Sequence, residues 1–386
     1  MNIIPLPRCL CCEGVLVPLI DFGGMPLVNT YGVDELVPMR VNRCAACCHL
    51  QLSGAVDPLV LYSDYAYCSG TGRTAADFFA SFARTALSYV PSASSILDIA
   101  SNDGSQLDAF KALGLKTTGV DPAVNLAVIA ATKGHGVIIS LFEDATFPEG
   151  HTFDIITAQN VVAHTHRPME FLRKCVKIMH SGSRLFVATS QANIVVNGEC
   201  DTIYHEHISY FNSVSMANLA QRSGLKVLDI VMHDIHGTSY VFVLGLAGES
   251  SVRVKNRMQW ERAVGLHRGP IYRWWKAHVA EKIARIKERI KTYQDDGFYT
   301  VGCGAAAKGI SILNMAGVKL DVLADTTPTK WNKRTSGMRI VPFTEIGTMQ
   351  ARKILFVVLA WNLSVEIRRN VEALRSHGED VFIEVR

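Results

Sequence analysis

Two cysteine pairs constrain the first fifty residues more tightly than any other feature of this chain. Cys9-x-x-Cys12 and Cys44-x-x-Cys47 form two knuckles with residues 13–43 between them. Two thiolates at x-x spacing can converge on one ion, and two such pairs complete a closed sulfur tetrahedron. The expected ion is zinc. With every position filled by protein it has no room for substrate or water, so its role is structural. Cys11 and Cys48 adjoin the knuckles, which leaves the ligand set open by one residue at each end. Ten cysteines in a chain of cytosolic character read as metal ligands or free thiols before disulfides.

The remaining composition is that of a globular protein with ample core: 386 residues, 48% apolar and 19% charged. This length suits two or three domains. A net charge of +4 gives a nucleic-acid partner no support from bulk electrostatics. The opening Met-Asn-Ile-Ile-Pro-Leu-Pro-Arg lacks a signal-peptide core, and apolar runs such as Ile354 to Trp361 are too short to span a bilayer. A cytoplasmic enzyme without a membrane partner is the expectation; oligomeric state, monomer or dimer, stays open.

Periodicity divides the chain into three expected domains. Residues 1–72 hold the cysteine module and a tyrosine-rich loop, Leu61 to Gly70. Residues 73–250 open on an amphipathic helix (Ala76, Phe79, Phe82, Ala83, Leu87) and then alternate strand and helix, which predicts a parallel sheet covered on both faces. Residues 251–386 start with apolar positions at helical spacing from Trp260 to Ile290, a long helix breaking near Gly269-Pro270, and end in a second, smaller Rossmann-like alternation. The fold class is therefore α/β: an N-terminal zinc-binding module, a central Rossmann-like domain and a C-terminal Rossmann-like domain.

The turn after the first central strand, Asp98-Ile-Ala-Ser-Asn-Asp-Gly104, indicates a cofactor type. A dinucleotide turn needs three glycines to admit a pyrophosphate, whereas only Gly104 is present. Asp98, Ala100, Asn102, Asp103 and Gly104 instead make a polar, acidic turn suited to a cation without phosphates. S-adenosylmethionine (SAM) fits, its amino group taking carboxylate or carbonyl partners. Asp121-Pro122, ending the second strand, offers a carboxylate for ribose hydroxyls. Asn160 and His164 leave the fourth strand on the edge where ligands bind doubly wound sheets. A Rossmann turn without a ligand is the plainer alternative.

Tyr204, His205, Glu206 and His207 put a phenol, two imidazoles and a carboxylate into four consecutive residues. Imidazole titrates nearest neutrality and is the usual proton shuttle. As a strand, this run would turn Tyr204 and Glu206 to one side and His205 and His207 to the other. The plainer alternative is a rim strand with solvated histidines.

Taken in order, these motifs resemble the SAM-dependent sugar C-methyltransferases, zinc-containing enzymes that methylate nucleotide-linked keto-deoxysugars. The likeness spans nearly the whole chain. It includes the paired knuckles, Tyr65-Ala-Tyr-Cys-Ser69, Ser101-Asn-Asp-Gly104, Asn160-Val-Val-Ala-His164 and the run from Asp201 to Tyr210. It continues in Gly302-Cys-Gly-Ala-Ala-Ala-Lys-Gly309 and Leu359-Ala-Trp-Asn362. The resemblance implies three domains, one structural zinc, SAM in the middle domain, and a nucleotide-diphosphate keto-deoxysugar in the cleft toward the C-terminal domain. It implies catalytic groups at Tyr65 or Tyr67, His164, Tyr204, Glu206 and His207. Substrate contacts are expected at Lys308, His205, Gly304 and Asn362. Asp121-Pro122 stands where the family tends to have Glu-Pro, His236-Gly-Thr-Ser239 precedes Tyr240 at a usually basic position, and Ser336-Gly337 replaces Pro-Gly. These departures leave the sugar and nucleotide open.

The expected chemistry is enolate formation beside a ketone, then attack on the sulfonium methyl. His207 is the expected base and Tyr204 the donor to the enolate oxygen, with Glu206 and His164 orienting and Tyr65 or Tyr67 closing the pocket. C3 beside a C4 ketone is the carbon the resemblance suggests. Lys308, opening a helix, reads as a partner for the diphosphate, against the alternative of a structural turn with an exposed lysine. Competing readings are an RNA or other small-molecule methyltransferase, a nicotinamide oxidoreductase using the C-terminal glycine turn, and a non-enzymatic zinc scaffold.

Overall fold

The computed structural model describes residues 2–32, 35–62, 70, 73–189, 192–233, 239–349, 353–375 and 378–385. Tyr65, Tyr67 and His236 to Thr238 lie outside them. Seven strands form the central sheet in the order Lys226–His233, Ser239–Gly245, Met179–Thr189, Phe153–Gln159, Ser95–Ile99, Lys116–Asp121, Gly136–Ile139. Five of these pair in parallel, and the inner strands among them are buried on both faces. Leu97, Ile99, Ile156 and Ala158 enter one core while Ile96, Ile155 and Phe186 enter another. Such two-sided burial is what near-continuous apolar strands require.

One edge departs from the expected parallel sheet. Ser239–Gly245 runs antiparallel to both Met179–Thr189 and Lys226–His233. Antiparallel neighbours need no helical crossover, so the strand–helix rhythm that signals parallel pairing is absent there. The long helical stretch is two helices, Val252–Ala263 and Gly269–Asp295, with Gly269-Pro270 at the start of the second. Proline is tolerated there because the first turn's N–H groups have no intrahelical acceptor.

The C-terminal sheet has six strands in the order Arg334–Thr335, Met338–Pro342, Val322–Asp325, Tyr299–Cys303, Ile354–Val358, Val381–Glu384, parallel except for the first pair. The N-terminal module contributes Leu16–Met25, Val37–Cys44 and Leu50–Leu52 to a four-stranded sheet. Its fourth strand is Ser209–Tyr210, which follows the Tyr-His-Glu-His run directly. One continuous core ties these units together: Val41 and Leu52 from the module, Ile203 and Tyr210 beyond the central sheet, Trp275 and Val279 from the long helix, Leu323 and Leu355 from the C-terminal sheet. The run 201–207 is thus backed by three units at once.

Candidate active site

The four predicted cysteines converge. Sulfur separations of 3.6 Å (Cys9–Cys47), 3.5 Å (Cys12–Cys44) and 3.5 Å (Cys12–Cys47) leave the thiols unbonded to one another. A tetrahedron with bonds of about 2.3 Å has edges of about 3.8 Å, so the set fits one ion. Backbone N–H groups of Cys11 and Cys47 point at the sulfurs of Cys9 and Cys44, leaving Cys11 outside the set. Cys48 is also outside; its sulfur accepts from Arg43.

The cofactor turn sits on the carboxyl edge of the central sheet. Ala100 (φ 58°), Asn102 (φ 53°) and Asn160 (φ 55°) are all left-handed without being glycine, a costly conformation that clusters at functional edges. Gly104 (φ 78°) must be glycine, since a Cβ would lie 2.9 Å from both Ala130 and His135. Asp121 accepts the N–H of Asn102 on one oxygen and of Ala123 on the other, each at 2.8 Å. Each carboxylate oxygen keeps a second lone pair, and Asp121 makes no ion pair among the described residues. Pro122 follows it, half-buried. Asp98 turns inward to accept from Thr157 Oγ1 at 2.5 Å, and burial pushes its carboxyl up to about 7. Asp103 accepts from the N–H groups of Ser105 and Gly70. Asn160 is exposed at the strand exit.

The Tyr-His-Glu-His run is not a strand. Residues 201–208 form turns and irregular backbone, so the expected two-sided alternation is replaced by a compact knot. Its backbone bonds locally instead of to a ladder: the N–H of His207 bonds the carbonyl of Tyr204 at 2.9 Å. Tyr204 and His207 lie on the same side, rings 4.2 Å apart, with Tyr204 Oη 2.9 Å from His207 Nε2. His207 Nδ1 is 2.8 Å from the carbonyl of Thr202. A carbonyl only accepts, so Nδ1 carries the proton. Burial, with smaller contributions from His164 and Lys308, holds His207 well below the usual imidazole range and keeps it neutral. Nε2 is therefore the acceptor, and Tyr204 donates to it.

His164 joins this pair, its ring 4.9 Å from that of His207. Tyr62 Oη lies 3.1 Å from His164 Nδ1, while His164 Nε2 is buried without a hydrogen-bond partner among the described residues. Burial lowers His164 to about 4 and raises the Tyr62 phenol well above its ordinary value. His205 turns away into the N-terminal module, and Glu206 also reaches it while staying close enough to Tyr62 for its charge to weigh on that phenol. Glu206 Oε1 accepts from Asn29 Nδ2 at 2.6 Å, and His205 Nε2 donates to the carbonyl of Val37 at 3.1 Å.

On the C-terminal side, Lys308 lies in the first turn of the helix Ala307–Ala316, its Nζ 5.5 Å from the ring centroid of Trp361. Gly304 (φ 83°) forms the turn before that helix. Asp325 accepts from the N–H of Ala305 at 2.7 Å and is paired with Lys330 at 3.1 Å. Burial raises that carboxyl, but Lys330 and the N–H groups of Thr327 and Ala305 outweigh it and bring it below the ordinary range. Asn362 is exposed; its neighbour Trp361 reaches inward, Nε1 donating to Asp201 Oδ2 at 3.0 Å. Tyr62, Asn29, Asp201 and Trp361 are thus site neighbours that motif reading passed over. Tyr62 opens the tyrosine loop, three residues before Tyr65, and Trp361 stands in the Leu359-to-Asn362 motif beside Asn362, so motif membership is the sequence signal for both.

Residues 72–230 match the model of a methyltransferase domain, and residues 234–385 that of the C-methyltransferase C-terminal domain. The C-methyltransferase NovU of Streptomyces niveus is 27% identical over 395 residues, covering 97% of this chain and 94% of that protein. A ubiquinone biosynthesis O-methyltransferase of Rhizobium leguminosarum bv. trifolii (strain WSM2304) is 33% identical over 100 residues, 24% of this chain and 39% of that protein. A solved S-adenosylmethionine-dependent methyltransferase from Clostridium acetobutylicum ATCC 824 aligns with 45% of this chain and 91% of its own, at 12% identity and a TM-score of 0.38. With a match to a methyltransferase domain, a match to a C-methyltransferase C-terminal domain and end-to-end similarity to NovU, the chain is similar to C-methyltransferases along nearly its whole length.

Proposed function

We propose that this C-methyltransferase uses SAM to methylate a carbon beside the ketone of a nucleotide-diphosphate 4-keto-6-deoxysugar, with C3 as the acceptor carbon. The observation that carries the reading is the Tyr204–His207 pair within ring contact of His164, on the segment leaving the fourth central strand. That strand's end neighbours the Asp98-to-Gly104 turn, so proton-handling groups and the cofactor edge coincide. The turn residues fit SAM: Asp121 has lone pairs for ribose hydroxyls, and Asn160 lies at the same edge. Bound there, SAM supplies an electrophilic methyl group.

The His207 tautomer supports one way for the base to work. His207 Nε2 accepts the hydrogen bond of the Tyr204 hydroxyl, which supports the Tyr204 oxygen as the group toward substrate. We assign Tyr204 Oη to take the sugar's α proton as its own proton passes to His207 Nε2, leaving an enolate and an imidazolium whose Nδ1–H rests on Thr202. This reverses the expected division of labour between the two residues. The enolate oxygen then needs a donor. Tyr62, held protonated, donates to His164 Nδ1, which leaves His164 Nε2–H as that donor. Glu206 acts from behind, through Asn29, as a positioning residue. Lys308, at a helix N-terminus where anions are favoured, is assigned to the diphosphate. The four cysteines are assigned to zinc.

The Lys330–Asp325 pair weighs against the nicotinamide alternative, because the acid that would hold a ribose is already neutralised. The test is a screen of thymidine-, guanosine- and cytidine-diphospho-4-keto-6-deoxysugars with SAM, read by mass gain of one methyl group. Methylation of one of them supports the reading; none methylated, with RNA modified instead, overturns it.

A further inference from the structure

Two indoles hold the backbone that carries the catalytic run. Trp275 Nε1, from the helix Gly269–Asp295, donates to the carbonyl of Glu199 at 2.8 Å. Trp361 Nε1, from the loop after the C-terminal strand Ile354–Val358, donates to Asp201 Oδ2 at 3.0 Å. Asp201 is buried and precedes Thr202, whose carbonyl accepts both His207 Nδ1–H at 2.8 Å and Tyr210 Oη–H at 3.1 Å. The other side of the same indole is also used. Its face lies under Lys308 Nζ, and Lys308 is close enough for its charge to weigh on His207. The loop is held to the helix by close contact: a Cβ at Gly309 would lie 2.4 Å from Leu359 Cβ.

We propose that Trp361 is a positioning residue that couples the nucleotide site of the C-terminal domain to the proton-transfer pair. This rests on the assignment of Lys308 to the diphosphate. A ligand that orders Lys308 fixes the indole face; the indole edge fixes Asp201; Asp201 sets the Thr202 carbonyl that holds the His207 tautomer. An indole N–H bonded to a buried carboxylate is a charge-assisted bond, stronger than a neutral one. The pair is thereby set for proton abstraction when sugar nucleotide is present, and set less firmly when SAM alone is bound.

The test is Trp361→Phe, which keeps an aromatic face for Lys308 and removes the donor. His207 Nδ1–H is followed by proton–nitrogen NMR in wild type and variant, free and with thymidine, guanosine or cytidine diphosphate. Coupling predicts a displaced or broadened Nδ1–H signal in the free variant. It also predicts a nucleotide-induced shift of that signal in wild type that the variant lacks although nucleotide still binds. kcat falls roughly 10- to 100-fold while SAM affinity stays within about 2-fold. Asp201→Asn, which keeps an acceptor oxygen, recovers part of kcat relative to Asp201→Leu. A wild-type Nδ1–H signal and kcat in Trp361→Phe overturn the coupling. Equal loss of SAM binding and catalysis, with lowered thermal stability, also overturns it in favour of simple packing. If no nucleotide binds wild type, the Lys308 assignment fails, and the free-state spectra still decide whether Trp361 positions His207.

Discussion

At the residue scale, burial keeps the imidazoles in and around the candidate site neutral. His164 and His205 are lowered to about 4 and His207 well below its ordinary value, in each case chiefly by burial. The unfolded chain takes up protons on these groups below about pH 6.5, while in the fold His164 and His205 refuse them until about pH 4 and burial holds His207 lower than its ordinary value in the same sense. Their contribution to stability therefore falls as pH drops through that window, by about 1.4 kcal/mol per pH unit for each of His164 and His205, with His207 acting in the same direction. Buried Asp98, raised to about 7, offsets about one imidazole's share with the opposite sign. Urea unfolding of an Asp98→Asn variant at pH 7, 6 and 5 isolates the histidine contribution; a flat profile there would mean that the histidines are solvated. A second residue-level prediction concerns Tyr62. Tyr62→Phe removes the donor to His164 Nδ1 and frees the imidazole to take either tautomer, so kcat should drop about 10-fold or more with SAM affinity unchanged. Unchanged kcat would remove Tyr62 from the proton network.

At the scale of elements, the helix Ser213–Arg222 links the cysteine module to the run before it. Asn212 caps this helix, accepting from Ser215 N–H at 2.8 Å, while its Nδ2 donates to the carbonyls of Cys47 and Cys48 at 3.2 and 3.0 Å. Asn212→Ala loses the cap and leaves two knuckle carbonyls without their donor, which should cost about 1–3 kcal/mol by thermal or denaturant unfolding. A change below about 0.5 kcal/mol would show that the cap carries little. The elements also show what could be read from sequence. The central parallel strands, the break at Gly269-Pro270 and the paired knuckles were legible because period, proline position and x-x spacing act locally. The antiparallel edge pair was not, since a hairpin lacks the helical spacer that advertises a crossover. Nor was the knot at 201–207: alternation of residue type there suggests a strand, whereas Ile203 and Tyr210 fold into the shared core and set the polar residues by tertiary contact. Long-range partners such as Asn29 for Glu206 leave no trace in local pattern.

At the scale of the whole molecule, the three units meet behind one pair of side chains. The N-terminal module pairs Leu50–Leu52 with Ser209–Tyr210, and the C-terminal domain reaches Asp201 through Trp361. Loss of the ion assigned to the cysteines should therefore propagate to catalysis before it reaches the cofactor turn, which rests on the central sheet. Protein stripped of metal by a chelator should lose methyl transfer while retaining SAM binding by calorimetry. Full activity of metal-free protein would contradict this. The central claim, that Tyr204 and His207 together strip a proton from carbon beside a ketone, is tested most directly by solvent deuterium uptake into the substrate found by the nucleotide-sugar screen. Wild type should exchange the α proton, whereas His207→Asn and Tyr204→Phe should each exchange about 10²- to 10⁴-fold more slowly while binding SAM normally. Exchange at the wild-type rate in His207→Asn would contradict the account.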